Sequence, residues 1–580
     1  MSSDAQILAP EAPPDGTADP RRWLTLVILL LAAFMNLLDV SIVNIAIPSI
    51  QRNLHASYAD VQWALAAYTL AYAVVLITGG RLGDAYGRKR LFLIGVTGFT
   101  IMSALCGAAQ SPGQLIACRV IQGAMGAIMI PQVLSVIQVI FPAAERIKAL
   151  AAFGVTAGLG TVSGPLLGGL LTQHNLFGLD WRPIFLINVP VGILAIAASA
   201  VLVRESRAPR RPHLDPGGVL LITAALLLLL YPLVQGRQLG WPAWTFVAMA
   251  ASVPAAGLFV WYERAKDRRD GSPLVQLSLF GQRAFSIGIA IAITFFLGVT
   301  SFALILTLFL QVGLGFTPLH AGLTFLPFSG GVLVASAAAA RLTPRFGRGV
   351  TMTGALVMTA GMAGLIATVA HYGAAVTTGE LVPGLIVAGL GMGSVLAPLA
   401  DILLAGVDRQ HAGSASGLFN TSIQLGASIG VALIGVIFFG LLGSQSGPAA
   451  AAAAPQLRAG LAAAAIPAGT AARIEGQFGA CLHDRLVAAD PTVTPASCRL
   501  ASPVGTARPL PAAASNVLAS AGGAASRRDF AATLERTLWF QVGVFLLSFL
   551  LMLALPRHPR RRAATGRPAD ADLVSTTEGK

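Results

Sequence analysis

The chain has 580 residues, of which 55% are hydrophobic and only 11% are charged, and its formal net charge is +14. A soluble domain carries about 25% charged residues, so this composition excludes a soluble globular protein. The basic excess does not indicate a nucleic-acid-binding protein, because the arginines and lysines lie in short loops between apolar runs and not on one polar surface.

Fourteen apolar segments are predicted to cross a membrane as α-helices, because each is long enough to span a hydrocarbon core of about 30 Å. In chain order the predicted spans are residues 23–50, 58–79, 91–110, 113–140, 150–172, 183–203, 216–234, 243–262, 284–311, 319–340, 351–370, 381–404, 413–442 and 537–556. The predicted fold class is therefore an all-α polytopic membrane protein. Polar residues 1–22 and 557–580 are expected to be disordered tails.

Basic residues are concentrated in alternate loops. If the N-terminus is placed in the cytoplasm, the cytoplasmic side holds roughly 25 Lys and Arg residues and the short outer loops roughly 3. Both termini are therefore predicted to be cytoplasmic, in a bacterial plasma membrane. The Ala/Pro-rich segment 443–535 then lies outside, partly disordered or folded as a small hairpin. Its two cysteines, Cys481 and Cys498, either form a disulfide or remain free.

Two charged residues lie inside apolar segments: Asp39 in the first span and Arg119 in the fourth. A charge in hydrocarbon is costly and usually has a function. Both positions fall in the outer halves of their helices, at depths that a long arginine side chain could bridge. Two interpretations stay open, namely a polar cavity with a titratable carboxylate or a buried structural ion pair.

A proton-coupling role follows from the first interpretation. Arginine stays charged in proteins, so Asp39 is the member of the pair that can exchange a proton, and its protonation would release Arg119. Further candidates for a cavity or substrate site are Asn36, Asn44, Gln122 and Asp401. Asp401 lies near the end of a span, and its alternative interpretation is a solvated interface residue.

The segment GRLGDAYGRKRL, residues 80–91, is predicted to be the cytoplasmic loop between the second and third spans. Its bases follow from the positive-inside rule, but its glycines and its aspartate do not. Glycine permits tight turns, and an acid can pair with bases or with a helix N-terminus. A gating role is therefore predicted for Gly80, Gly83, Asp84, Gly87, Arg88 and Lys89.

Glycine and proline interrupt the fifth span. Gly160, Gly164 and Gly168 recur every four residues, which gives a small-residue face along which helix backbones approach closely. Pro165 lacks a backbone donor and bends a helix. Together with Gly169, these residues are predicted to form a hinge that packs tightly and bends. Static close packing is the alternative.

Patterns typical of enzymes are absent or misplaced. GASIG, residues 426–430, matches G-x-S-x-G, but a nucleophile elbow needs a strand before it and a helix after it, and this segment lies within one apolar run. The sequence has no GxxxxGK[ST] phosphate loop and no His/Cys cluster that would bind a metal. The chain is therefore predicted not to be an enzyme and to use no cofactor. Its energy would come from the proton motive force or from another subunit.

Five motifs, in this order, resemble those of the major facilitator superfamily and, within it, the fourteen-helix drug:proton antiporter family. They are LDVSIVNIAIP (38–48), GRLGDAYGRKR (80–90), RVIQGAMGA (119–127), GTVSGPLLGG (160–169) and WRPIFLINVPVG (181–192). The third motif resembles the one in which the family's arginine is tied to proton coupling, and here that residue is Arg119. Ala85 departs from the family, which has an arginine at this position of the second motif.

The resemblance implies two six-helix bundles, residues 23–203 and 284–556, which rock around a midplane cavity, and two inserted helices within 204–283. It implies a monomeric proton-coupled antiporter for multidrug efflux, with lipophilic small molecules, protons and the bilayer as partners and no nucleic acid. Because membrane-embedded acids are few, neutral or monocationic substrates fit better than divalent cations. Alternatives are an exporter of one endogenous metabolite, lipid or self-made antibiotic, and a membrane sensor that transports nothing.

Overall fold

The computed structural model describes residues 21–207, 215–271, 273–404, 412–488, 495–498 and 512–555. Regular structure in these ranges is helical. The long helices are α1 (Arg22–Leu54), α2 (Tyr58–Tyr86), α3 (Arg88–Ala108), α4 (Pro112–Ile140), α5 (Ala143–Gln173), α6 (Pro183–Leu202), α7 (Pro216–Gln235), α8 (Ala243–Asp270), α9 (Arg283–Leu308), α10 (Pro318–Phe346), α11 (Arg348–Tyr372), α12 (Thr378–Leu404), α13 (Ala412–Ala463), α14 (Ala468–Val487) and α15 (Ala512–Leu553). Apart from Arg21 and Arg22, the predicted tails lie outside the described residues.

Each predicted span coincides with one of these helices, which confirms the all-α polytopic class. Thirteen helices in the described ranges are long and apolar enough to cross a membrane. The fifth predicted span coincides with α5, a further helix of 31 residues. Polar caps begin several helices, because the first amides of a helix lack intrahelical partners. Ser57 and Asp60, for example, form a reciprocal capping box at the start of α2.

The two ends of the helices carry different connections. We call the end with the α2–α3 and α4–α5 turns the basic side, since it holds the arginine-rich connections. We call the opposite end, with the α1–α2 and α3–α4 turns, the cap side. The predicted cytoplasmic face corresponds to the basic side, and α14 lies on the cap side.

The segment 443–535 is helical over most of its described length, and α13 and α14 form a helical hairpin in it. α13 continues to Ala463 and is 52 residues long, and α15 begins at Ala512 rather than near the predicted residue 537. Alanine has the highest helix propensity of all residues, and this segment is rich in alanine. α14 is held on the cap side by one buried stripe, which consists of Ile474, Phe478, Leu482 and Leu486.

The helices form two groups joined by a pair. In the first group, α1 packs against α5 and α6, while α4 packs against α2 and α3. In the second group, α12 packs against α10 and α11, while α15 packs against α9, α11 and α13. The inserted helices α7 and α8 pack against each other, and α7 also contacts α2 and α13.

The two groups touch along two seams, α5 with α10 and α2 with α13. On the cap side the α5–α10 seam depends on glycine. A Cβ atom at Gly169 would lie 2.6 Å from the Pro318 carbonyl oxygen, and one at Gly322 would lie 2.3 Å from the Pro165 carbonyl oxygen. In the α2–α13 seam the hydroxyl oxygens of Thr69 and Ser428 are 2.5 Å apart. The cap side is therefore closed between the groups.

Candidate functional site

Asp39 of α1 and Arg119 of α4 form a buried ion pair. The Arg119 Nη1 atom donates to the Asp39 Oδ2 atom at 2.5 Å. The two side chains are 2% exposed for Arg119 and 0% exposed for Asp39. Because burying an unpaired charge is far more costly than burying a hydrogen-bonded pair, each side chain depends on the other for its place in the first helix group.

Two amide side chains complete the coordination of the Asp39 carboxylate. Its Oδ1 atom accepts from Gln122 Nε2 at 3.0 Å and from Asn188 Nδ2 at 3.1 Å. Asn188 also donates to Ser103 Oγ at 3.0 Å. The carboxylate is thus held by α4 and α6 at once, and Ser103 ties this arrangement to α3. The carboxylate therefore accepts hydrogen bonds from three side chains.

The Arg119 guanidinium is fixed by α2 as well as by Asp39. Its Nε atom donates to the Ala64 carbonyl at 3.1 Å, and the group lies over the Tyr68 ring, 4.0 Å from the centroid. Cation–π contacts of this kind stabilise a desolvated cation. The Tyr68 hydroxyl accepts from Asn36 Nδ2 at 2.7 Å. Asn36 therefore supports the pair through Tyr68.

Both members of the pair are buried among the described residues, and a polar cavity beside them stays a prediction. Helices α1, α2, α4 and α6 fill the space around the pair, and Asp39 has no exposed surface. Chemically, the arrangement is a single ionisable acid beside a permanent cation. In this arrangement the acid has no contact with bulk solvent.

The other predicted cavity residues lie apart from this network. Asn44 is half-buried on α1, where its Nδ2 atom donates to Val40 O of the same helix at 3.4 Å and its Oδ1 atom is buried without a partner. Asp401 is exposed near the basic end of α12. Of the four candidates, the structure brings only Asn36 and Gln122 into the network of Asp39 and Arg119.

The predicted loop 80–91 is mostly helical. α2 continues to Tyr86 and α3 begins at Arg88, so the turn is Gly87 alone, with φ of +117°. Glycine adopts this conformation without strain. Asp84 accepts from Arg88 Nη2 at 2.9 Å across the turn. The backbone amide of Lys89 donates to Glu205, which follows α6, at 3.1 Å.

Gly83 lets α2 approach α4. A Cβ atom at Gly83 would lie 1.8 Å from Gln132 Oε1, whereas one at Gly80 would make an ordinary van der Waals contact, 3.7 Å from Pro131 Cβ. The Gln132 side-chain amide instead donates to the Gly79 carbonyl at 2.8 Å. The last turns of α2 are therefore packed against α4, Gly87 lies against Glu205, and the acid and bases of the segment bridge α2, α3 and the segment after α6.

The glycine face of α5 lies against α1. Cβ atoms at Gly160, Gly164 and Gly168 would lie 2.8 Å from Leu37 Cβ, 1.9 Å from Ser41 Oγ and 2.9 Å from Ile42 O, respectively. The Ser41 hydroxyl donates to the Gly160 carbonyl at 3.1 Å. α5 continues through Pro165 as one helix. Gly169 points the other way, to α10, so the segment links both helix groups.

Sequence reasoning missed three residues of these networks. Asn188 is a neutral amide in an apolar span, and its polarity was the available signal. Glu205 stands among the bases after α6, where it was not distinguished from a solvated residue. Tyr68 carries no sequence signal, because its role depends on α2 facing α4. Cys481 and Cys498, for which the sequence left a disulfide and free thiols open, form a disulfide that ties α14 to the segment 495–498.

Comparisons with known proteins agree with this arrangement. A family model described as Major Facilitator Superfamily matches residues 29–431. The chain is 43% identical over 553 residues to the probable actinorhodin transporter of Streptomyces coelicolor, covering 94% of this chain and 95% of that protein. It is 34% identical over 426 residues to the tetracenomycin C resistance and export protein of Streptomyces glaucescens, covering 73% of this chain and 77% of that protein.

A solved structure supports the fold alone. A bacterial homolog to the human lysosomal transporter Spinster, in an inward-facing and occupied conformation, aligns with a TM-score of 0.57 at 18% identity. The alignment covers 94% of this chain and 100% of that chain.

Proposed function

The chain belongs to the major facilitator superfamily, and from this premise we propose that it exports lipophilic antibiotic-like compounds in exchange for protons. The observation that carries the proposal is the buried pair of Asp39 and Arg119, whose side chains are 0% and 2% exposed. An arginine cannot release its proton, so Asp39 is the group through which a proton enters and leaves.

The relatives support export and the class of compound. One is named for actinorhodin transport, one for tetracenomycin C resistance and export, and others for puromycin resistance or multidrug resistance. Acidic side chains within the membrane-spanning helices are few, so we propose neutral or monocationic substrates. A divalent cation would need more carboxylates to offset its desolvation.

The orientation follows from charge. We propose that the basic side faces the cytoplasm of a bacterium and that the cap side faces outward, because basic loops stay on the cytoplasmic side. The cap side is closed between the helix groups, which corresponds to a state that receives substrate from the cytoplasm. Alternating access then requires the cap-side seams α5–α10 and α2–α13 to open.

The cycle couples these seams to Asp39. When the cap side is open, Asp39 takes up a proton and loosens its hold on Arg119. When the basic side is open, Asp39 releases the proton and restores the ion pair, and substrate binds. The glycine face of α5 connects the two events, since it packs against α1 beside Asp39 and against α10 across the seam.

Transport in sealed vesicles tests the proposal. The purified protein is reconstituted into proteoliposomes with an imposed gradient of about 1 pH unit, which supplies about 1.4 kcal/mol per proton and can sustain about a tenfold substrate gradient at one proton per molecule. Accumulation of a monocationic dye that collapses with the pH gradient supports the proposal. If no compound of a chemically diverse panel showed gradient-dependent flux, the alternative of a membrane sensor that transports nothing would be favoured.

A second candidate is an exporter dedicated to one self-made antibiotic. The observation that favours it is the 43% identity over 94% of this chain to a protein named for one compound, actinorhodin. The same vesicles distinguish the two, because a dedicated exporter would move one member of a chemically diverse panel and a multidrug exporter would move several.

A further inference from the structure

A cavity of about 520 Å³ on the cap side lies outside the network of Asp39 and Arg119. Its volume falls within the range of small-molecule sites, roughly 300–1,000 Å³. We call it the Arg237 cavity, and the residues that define it are Tyr58, Gln62, Arg237, Gly435, Phe439 and His483. Its rim is open to solvent, because His483 and the neighbouring lining residues Gln238 and Ser444 are exposed.

We propose that the Arg237 cavity binds an aromatic anion from the outer side of the membrane and that its occupancy holds the cap side closed. The anion would be an aromatic carboxylate or phenolate. The binding part stands on the cavity alone, whereas the effect on export rests on the function proposed above.

The charge of the ligand follows from Arg237. Within the described residues, the guanidinium makes one hydrogen bond, from Nη2 to the Val487 carbonyl at 3.4 Å, and it forms no ion pair. A guanidinium has five N–H donors in a fork that matches a carboxylate, so most of them remain available. Among the described residues that line the cavity none is a carboxylate, and a cationic ligand would meet Arg237 without any compensating charge from them.

The aromatic character follows from the walls. The Arg237 guanidinium lies 5.2 Å from the centroid of the Phe439 ring, and the Phe439 and Tyr58 rings are 4.0 Å apart. Apolar and aromatic walls are typical of sites for planar ligands. A planar ring would therefore rest on the walls while its anionic group meets the guanidinium.

The amide of Gln62 also faces the cavity. Gln62 is 4% exposed and lines the cavity, and no hydrogen bond from its side chain is found in the described part of the chain. A side-chain amide carries two N–H donors, so Gln62 can donate to a ligand oxygen in the cavity. Gly435 makes room for it, because a Cβ atom there would lie 1.4 Å from Gln62 Nε2.

The position of the cavity links binding to conformation. Tyr58 and Gln62 belong to α2 of the first helix group, whereas Gly435 and Phe439 belong to α13 of the second. A ligand that touches both helices loses one wall when the α2–α13 seam opens. Since a ligand favours the state to which it binds more tightly, an aromatic anion outside the cell would slow export.

Binding is tested with 1-naphthoate and its neutral analogue 1-naphthalenemethanol, added to the full-length protein in nanodiscs of zwitterionic lipid and followed by calorimetry. We expect 1-naphthoate to bind at least tenfold more tightly than the alcohol. Arg237→Gln should remove that tenfold preference, and Arg237→Lys should keep part of it. Equal affinities for acid and alcohol, or an unchanged preference in Arg237→Gln, would overturn the proposal.

Two further variants and one competitor sharpen the test. Arg473→Gln is the matched control, because Arg473 is an exposed arginine of α14 that does not line the cavity, and it should leave the preference intact. Gly435→Ala should weaken both ligands at least threefold by pushing Gln62 into the cavity. Full displacement of 1-naphthoate by an anionic phospholipid at equal concentration would assign the site to lipid headgroups and overturn the aromatic ligand.

The effect on export is measured separately. In right-side-out vesicles, external 1-naphthoate should slow dye export by the wild-type protein at least twofold and leave Arg237→Gln unaffected. Equal slowing of both proteins would refute the conformational part. If neither the wild type nor Arg237→Gln exported dye, the function proposed above would be refuted. The calorimetric result would still decide whether the cavity binds an aromatic anion.

Discussion

Asp39→Asn removes the one negative charge that holds Arg119 in place while keeping the shape of the side chain. Asparagine can still accept from Arg119, but its amide would face two donors, Gln122 Nε2 and Asn188 Nδ2, which now lie 3.0 Å and 3.1 Å from Asp39 Oδ1. Breaking a buried ion pair costs about 3–5 kcal/mol. Because the amide keeps one acceptor, we expect destabilisation of about 3 kcal/mol, which leaves the protein folded and inserted.

The functional consequence is the loss of proton coupling. The variant has no group at this position that can exchange a proton, so a gradient of about 1 pH unit should produce no substrate accumulation, against about tenfold for the wild type. Exchange of labelled for unlabelled substrate in the absence of a gradient should continue, because it requires no net proton movement. Both quantities are measured in the same proteoliposomes.

The matched control is Asp60→Asn, which removes another carboxylate from the same helix group. Asp60 accepts from the Ser57 backbone amide in a capping box at the start of α2, so its loss should cost about 1 kcal/mol and leave coupling intact. Gradient-driven accumulation by Asp39→Asn would refute the reasoning. Equal loss of accumulation in Asp60→Asn would show that destabilisation alone explains the result.

Three further predictions concern the packing and the gate. Gly164→Val places a Cβ atom 1.9 Å from the Ser41 hydroxyl oxygen of α1. Thermal unfolding should show that the free energy of unfolding falls by about 1–3 kcal/mol, and transport should be slower. A wild-type transport rate would contradict the close-packed hinge. Asp84→Asn removes the partly exposed ion pair with Arg88. The free energy of unfolding should change by less than about 1 kcal/mol, whereas the transport rate should fall. An unchanged transport rate would refute a gating role of the pair. Replacing Cys481 and Cys498 by serine opens a loop with a sequence separation of 17 residues. The free energy of unfolding should fall by about 3 kcal/mol, and hydrogen exchange in α14 should become faster while export is unaltered. Unchanged hydrogen-exchange protection of α14 would refute a role of the disulfide in holding α14 on the cap side.

The sequence predicted the ion pair because charges stand out in apolar spans. Asp39 and Arg119 were found by that contrast alone, and helix geometry placed them at matching depth. Asn188 was not predicted, because a neutral amide in an apolar span is a weaker signal than a charge. Whether its side chain faces Asp39 also depends on how α6 packs against α1. The depth of a residue in the membrane follows from its position along one helix, whereas the side chains that it contacts depend on how several helices pack.

Boundaries were harder to predict than spans. Hydropathy ends a span where the chain leaves the bilayer, but a helix can continue beyond it, as α2 does to Tyr86 and α13 does to Ala463. A signal for α14 was present, because its buried residues Ile474, Phe478, Leu482 and Leu486 recur every four residues. It was hidden by an alanine-rich context with little contrast between apolar and polar positions.

Proton release on substrate binding tests the central claim most directly. The purified protein is placed in weakly buffered detergent solution near neutral pH, and the proton concentration is followed with an indicator dye as a transported substrate is added. If Asp39 exchanges its proton for substrate, the wild type releases protons in proportion to the substrate bound, and Asp39→Asn binds substrate without releasing any. Equal release from both proteins would contradict the assignment of Asp39 as the proton carrier.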